Sequence, residues 1–175
     1  MTNTILSSKH GIDSCDVKEC QKKLMNSKDN DLNFLKLAIA NSQKSFDQGN
    51  FPAGAVVVKD NKIISQAVSD PFPNLLHSDS KAVKSAFEKI GVLSEATLYV
   101  GIESCLMCFG VAYWAGIDRI VYAVPKFKVS PLYYETGEDT SFLLDKLNRK
   151  IEMVHIPEIE DEALAIIRKW EQKHK

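Results

Sequence analysis

The sequence has almost no net charge: 22 Lys and Arg stand against 23 Asp and Glu, a formal −1. The strong basic excess of a dedicated nucleic-acid binder is missing, and nucleic acid is not the expected partner. Long apolar runs are missing too. The longest stretch free of charged or strongly polar residues, Cys105 to Ile117, is 13 residues, well short of the roughly 20 that a membrane-spanning helix needs. Met1 to His10 carry neither the positive start nor the apolar core of a secretory signal. A cytoplasmic protein with no membrane partner is therefore expected. No internal repeat or low-complexity tract stands out. Cysteine is scarce, with four in 175 residues. In a reducing compartment these are thiols or metal ligands before they are a disulfide framework.

What is present is ordinary globular composition, 45% hydrophobic and 26% charged, which excludes a disordered or collagen-like chain. The length fits one domain with a modest extension. Residues 1–30 are polar and read as an N-terminal arm, with at most one short helix, preceding a domain over 31–175. From Asp31, a plausible N-cap, Leu32, Leu35, Ile39 and Phe46 recur at helical intervals up to a stop at Gly49. Gly54 to Val58, the turn residues Asp60 and Asn61, and Lys62 to Val68 read as a hairpin. Helices over His77–Ile90, Cys105–Ala115, Ser141–Leu147 and Glu158–Gln172 then alternate with strands over Ala96–Val100, Arg119–Ala123 and Ile151–Ile156. That alternation predicts an α/β fold with a mostly parallel sheet and helices on both faces.

Chemistry concentrates at Cys105-Leu-Met-Cys108, a C-x-x-C at a helix start, where the dipole favours thiolates. Alone it is ambiguous between a redox pair, a zinc knuckle and half of a catalytic metal site. No second C-x-x-C exists: Cys15 and Cys20, in the polar arm, have four residues between them. His77 begins its own helix 28 residues before Cys105. In a parallel sheet, successive helix N-termini share the edge beyond the strands' carboxyl ends, so the three side chains can converge. Three protein ligands with one open position is the catalytic zinc pattern.

With His77-Ser-Asp79 and Ser104-Cys105-Leu-Met-Cys108 in place, the chain resembles the zinc-dependent cytidine deaminase-like superfamily, in its nucleoside, guanine and tRNA-adenosine deaminase branch. That family's signature is H-x-E…P-C-x-x-C. Phe51 to Val58, Thr97 to Val100 and Trp114 to Ala123 also match, within coverage from about Asp31 to Trp170. The resemblance implies a three-layer α/β/α sandwich with a five-stranded mixed sheet, an opening hairpin followed by parallel crossovers. It implies Zn2+ on His77, Cys105 and Cys108, proton transfer by Asp79, and substrate contacts from Phe51, Ala55, Ser69 and Ser78. The reaction implied is hydrolytic removal of an exocyclic amine from a nucleobase or nucleoside, with a free base or nucleoside of guanine or cytosine type favoured over tRNA adenosine.

Three positions depart from that pattern. Asp79 replaces Glu and is one methylene shorter, so it either moves closer or works poorly. Ser104 replaces Pro, and Ser69 stands where a base-contacting Asn is usual. The change at Ser104 touches no ligand and is tolerable, while those at Asp79 and Ser69 motivate a rival expectation, a non-catalytic zinc-binding module or partner subunit, including a variant in which Asp79 closes the fourth zinc position. A C-x-x-C redox protein is the third reading. A homodimer is expected through the apolar helix carrying Val111, Tyr113 and Trp114. Glu103 is read as a solvent-facing or capping carboxylate, Lys126 and Lys128 as solvated, and His10, His155 and His174 as structural or solvated. Phe51, Phe72, Trp114 and Tyr134 are candidates for a wall against a planar base.

Overall fold

A computed structural model describes residues 17–136 and 141–174, apart from the side chains of 17–27 and Ser141. The start of the expected arm, with His10 and Cys15, lies outside the described residues. The described chain forms α1 (Val17–Asp47), β1 (Gly54–Lys59), β2 (Lys62–Val68), α2 (Ser78–Ile90), β3 (Thr97–Ile102), α3 (Leu106–Ala115), β4 (Arg119–Val124), α4 (Ser141–Leu144), β5 (Glu152–His155) and α5 (Glu160–Lys173). The five strands lie in the order β2-β1-β3-β4-β5.

The hairpin forms as its sequence predicts. Asp60 and Asn61 both take positive φ, 51° and 57°, as a two-residue turn matched to strand twist requires. The sheet is less parallel than expected. β1 pairs antiparallel with both β2 and β3, while β3–β4 and β4–β5 are parallel. The β2–α2–β3 connection passes over β1 and returns the chain in the direction of β2, so β2 and β3 are parallel without being neighbours.

Strand alternation sorts the core into two faces. Val56, Val58, Tyr99 and Val121 pack with Leu35 and Ile39 of α1 and Leu164 and Ile167 of α5. Ala55, Val57, Leu98 and Ile120 pack with Val83 of α2 and Phe109 of α3. The result is the α/β/α sandwich with its five-stranded mixed sheet.

Helix α1 begins at Val17, so Asp31 is an interior residue and not its N-cap. Lys, Glu, Gln, Leu and Met between positions 17 and 30 are good helix formers and carry the helix through. Asp31 instead takes tertiary partners. Arg119 donates to its two oxygens at 2.7 Å each, and the Tyr99 hydroxyl donates to Oδ1 at 2.7 Å. Arg119 also reaches Glu152 at 3.0 Å, tying α1 to three strands.

The helix lies close on the sheet because two glycines permit it. A Cβ on Gly54 would sit 2.4 Å from the Ala38 carbonyl oxygen and the Ser42 nitrogen, and one on Gly101 would sit 2.5 Å from Ser42 Oγ. Gly54→Ala must push α1 off the sheet, and a loss of roughly 1–3 kcal/mol in urea unfolding is expected. Gly101→Ala meets only a rotatable hydroxyl and should cost less. Equal effects would contradict this packing.

Candidate metal centre and active site

Because β2 and β3 run the same way, the chain leaves both at one edge of the sheet and enters α2 and α3 there. His77 and Cys105 are the N-cap residues of these helices. Both have extended backbones (φ −66°, ψ 153° and φ −69°, ψ 168°), and neither side chain caps its helix. They turn toward each other instead. Cys108, in the first turn of α3, adds the second thiol.

His77 Nδ1 lies 3.5 Å from the Sγ of Cys105 and 3.5 Å from that of Cys108. All three donor atoms lie within 4.8 Å of one another. Zinc–sulfur and zinc–nitrogen bonds of about 2.3 and 2.05 Å at a tetrahedral angle place N and S roughly 3.6 Å apart, so the residues fit that ion. The other ring nitrogen, Nε2, lies 3.0 Å from the Asn74 carbonyl oxygen and donates to it. In the neutral ring this leaves the Nδ1 lone pair for a metal, as an outer-shell partner does for a histidine ligand, and in the protonated ring Nδ1–H donates to Cys105.

The local electrostatics favour one preformed thiolate. Cys105 is lowered to about 6, first by the hydrogen bond from the Cys108 thiol and then by that from His77, against the effect of burial. Cys108 is pushed far up, because it keeps the proton in that hydrogen bond and is buried. His77 is raised chiefly by its hydrogen bond to Cys105.

Asp79 is 6% exposed. Its Oδ1 accepts from Ser78 Oγ at 2.8 Å and its Oδ2 from Ser104 Oγ at 2.7 Å. Burial raises its pKa, and the two hydroxyls and His77 pull the other way. Among the described residues the donor group contains no oxygen of Asp79, so the reading in which Asp79 closes a fourth metal position is not supported.

Asp79, His77, Cys105, Phe51 and Ser69 line one cavity of about 40 Å³. Ser69 is 1% exposed, and its hydroxyl has no hydrogen-bond partner among the described residues. Ala55 does not line the cavity: it is fully buried inside β1, and Ala53, two residues nearer the sheet edge, takes that place. Ser78, also fully buried, turns its hydroxyl to Asp79.

Tyr134, a candidate for the wall, lines the cavity, as does Tyr133, which sequence reasoning did not single out. Tyr133 and Tyr134 close one side, and the Tyr134 hydroxyl donates to the Glu103 carbonyl oxygen at 2.8 Å. Glu103 is buried, not solvent-facing. Its Oε2 accepts the Lys126 backbone N–H at 3.1 Å, and the buried Lys126 ammonium lies 3.9 Å from its Oε1. The reading of Lys126 as solvated is corrected accordingly, while Lys128 pairs with Glu160.

Phe51 meets Phe72, Tyr133 and Trp170 at ring-centroid distances of 5.6, 4.9 and 5.2 Å, an aromatic cluster of which Phe51 and Tyr133 line the cavity. Of the candidates for a wall, Trp114 is 85% exposed on α3 and does not belong to it. His155 is structural, stacked on Tyr122 and 3.1 Å from Glu160. The α3 N-terminus has a cap that sequence reasoning missed: Glu135 accepts the Leu106 N–H at 3.2 Å. The Pro131-Leu-Tyr-Tyr134 run was the one local signal for this region.

An α/β sandwich with a His-Cys-Cys group at one sheet edge, its cysteines buried and its histidine half-buried, beside a buried acid, defines a metal-binding protein of zinc type. Residues 28–124 match the cytidine and deoxycytidylate deaminase zinc-binding region, and the chain belongs to that family, whose metal is zinc. It is 30% identical over 143 residues to a probable cytosine deaminase of Schizosaccharomyces pombe, covering 77% of this chain and 88% of that one. It is 31% identical over 130 residues to guanine deaminase of Bacillus subtilis, covering 71% and 81%. A solved structure from studies of tRNA:A34 deaminases superposes with a TM-score of 0.64 at 23% identity, over 77% of this chain and 99% of that one, a likeness of fold.

Metal binding to this donor set displaces protons, since ligands must be deprotonated. With Cys105 near 6 and Cys108 far above neutrality, zinc added to the metal-free chain at pH 7 should release roughly one to two protons. Calorimetry in buffers of different ionisation enthalpy reads this number. Affinity should fall as pH drops, because Cys108 must give up its proton throughout the range, and more steeply below about 6, where Cys105 is protonated as well. A pH-independent affinity would contradict the assignment.

Proposed function

We propose that the protein is a zinc-dependent hydrolytic deaminase that removes the exocyclic amine of a free purine or pyrimidine base or of its nucleoside. The observation that carries this reading is the buried Asp79 carboxylate lining one cavity with His77 and Cys105. In this reading His77, Cys105 and Cys108 hold the zinc, which supplies activation of water for attack on the amine-bearing carbon.

Asp79 then moves the proton. A shuttle has to hold a proton and release it again, and burial that raises the carboxyl pKa makes the protonated form accessible. Each of its oxygens accepts one hydroxyl and keeps a lone pair for transfer. The unpartnered Ser69 hydroxyl is available to the polar edge of a base. Phe51 offers a face for its ring. The cavity of about 40 Å³ holds only a few water molecules, so Phe51 and Tyr133, which line it, have to shift to admit a base. Once shut, they exclude bulk water.

A small substrate suits this enclosure and the near-zero net charge better than tRNA does. Among the described residues no helix is long and apolar enough to cross a membrane, and we place the enzyme in the cytoplasm. We also propose a homodimer through α3. Trp114 and Tyr113 border a surface hollow of about 470 Å³ there, with Leu106, Phe109 and Leu147. Light scattering should give twice 19.6 kDa, and a monomer at micromolar concentration would contradict the dimer.

Ammonia release from zinc-quantified protein, measured over bases, nucleosides, nucleotides and tRNA, tests the activity. One base or nucleoside should be turned over, and Asp79→Ala should cost roughly 100- to 10,000-fold at unchanged zinc content. Full zinc with no turnover on the panel would reject the reading in favour of a non-catalytic zinc protein. Turnover of tRNA alone, falling steeply with salt, would reject the small substrate.

A further inference from the structure

We propose that Ser104 is the positioning residue for Asp79, its hydroxyl holding a short carboxylate in the working place that a longer acid reaches unaided. The proposal rests on the deaminase reading above and names a part of that site which neither the metal donors nor the base contacts include.

The two residues at which the chain leaves the H-x-E…P-C-x-x-C signature are the two ends of one hydrogen bond. Ser104 Oγ donates to Asp79 Oδ2 at 2.7 Å across 25 residues. Proline at position 104 would have no side-chain donor. Both partners are enclosed, Ser104 at 1% and Asp79 at 6% exposure. Ser78 Oγ completes the hold from the other side, at 2.8 Å from Oδ1.

An aspartate side chain has two torsions, and donors on both oxygens fix both of them. The donors come from different elements: Ser78 is the first residue of α2, and Ser104 lies between β3 and α3. The backbone next to Ser104 is itself held, since the Glu103 N–H donates to the Val124 carbonyl at 2.9 Å. A hydroxyl on a rigid segment bonded to a buried carboxylate is a strong, short interaction that sets position. Because proton transfer depends steeply on placement, with about 1 Å worth on the order of 100-fold, the pair Asp79 and Ser104 acts as one unit.

The test is a cycle of variants measured for kcat, KM, zinc per chain and melting temperature. Ser104→Ala, Ser104→Thr and Ser104→Pro are made alone and with Asp79→Glu. Ser104→Ala should lower kcat roughly 10- to 100-fold, with KM changed less than about threefold and zinc unchanged. Ser104→Thr, which keeps the hydroxyl, should recover most of kcat. With Glu at position 79 the hydroxyl is no longer needed, and Ser104→Pro should change kcat by less than about threefold.

Melting temperatures around the same cycle should be non-additive, as expected of directly bonded partners. Wild-type kcat in Ser104→Ala, equal costs with Asp and Glu at position 79, or a loss that follows zinc content would each overturn the proposal. Should Ser104→Pro not fold, the Ala and Thr variants carry the comparison. Absence of any turnover in the wild type would reject the deaminase reading instead. The melting cycle would then decide alone, additive shifts counting against the pair.

Discussion

The site depends on the shared direction of β2 and β3. They flank β1, which runs against both, so the chain comes off each at one edge and starts a helix there. Without that arrangement His77 and Cys105, 28 residues apart, would have no reason to meet. The rest of the fold secures it. Gly54 and Gly101 let α1 lie directly on β1 and β3, and the Asp31–Arg119 pair pins that helix to the strands on which the crossover returns. Breaking such a pair by removing one partner is costly because it leaves a partly buried charge unpaired.

The edge brings together groups whose charges would otherwise oppose folding. Burial favours the protonated forms of Asp79 and Cys108, while helix N-termini and neighbouring donors favour anions. Cys105 resolves the conflict one way, as a thiolate stabilised by its neighbours. Asp79 is held between the opposing effects, with two hydroxyls supporting its charge at a buried position. A dication on the three donors would satisfy the thiolates and complete the balance.

Local signals in the chain were legible where local chemistry decides. Asp60 and Asn61 announced the hairpin, and C-x-x-C with His77 pointed to the metal donors that the structure brings together. Tertiary partners were not legible. Asp31 looks like a cap and is an ion-pair partner inside a longer helix. Glu103 and Lys126 look solvated but are buried against each other. Ala53 lies nearer the sheet edge than Ala55 by two residues, a distinction that strand register alone makes. Ser104 looked like a neutral loss of proline, and its partner is 25 residues away. Tyr133 and Trp170 come from distant segments, and only the folded chain brings them against Phe51.

The central claim is that His77, Cys105 and Cys108 hold one zinc ion and leave a position open. X-ray absorption at the zinc edge on the purified protein measures this directly. The account predicts two sulfur neighbours at about 2.3 Å and two nitrogen or oxygen neighbours at about 2.0–2.1 Å, with one sulfur replaced in Cys108→Ser. A four-sulfur shell, or a shell unchanged by that substitution, would contradict it.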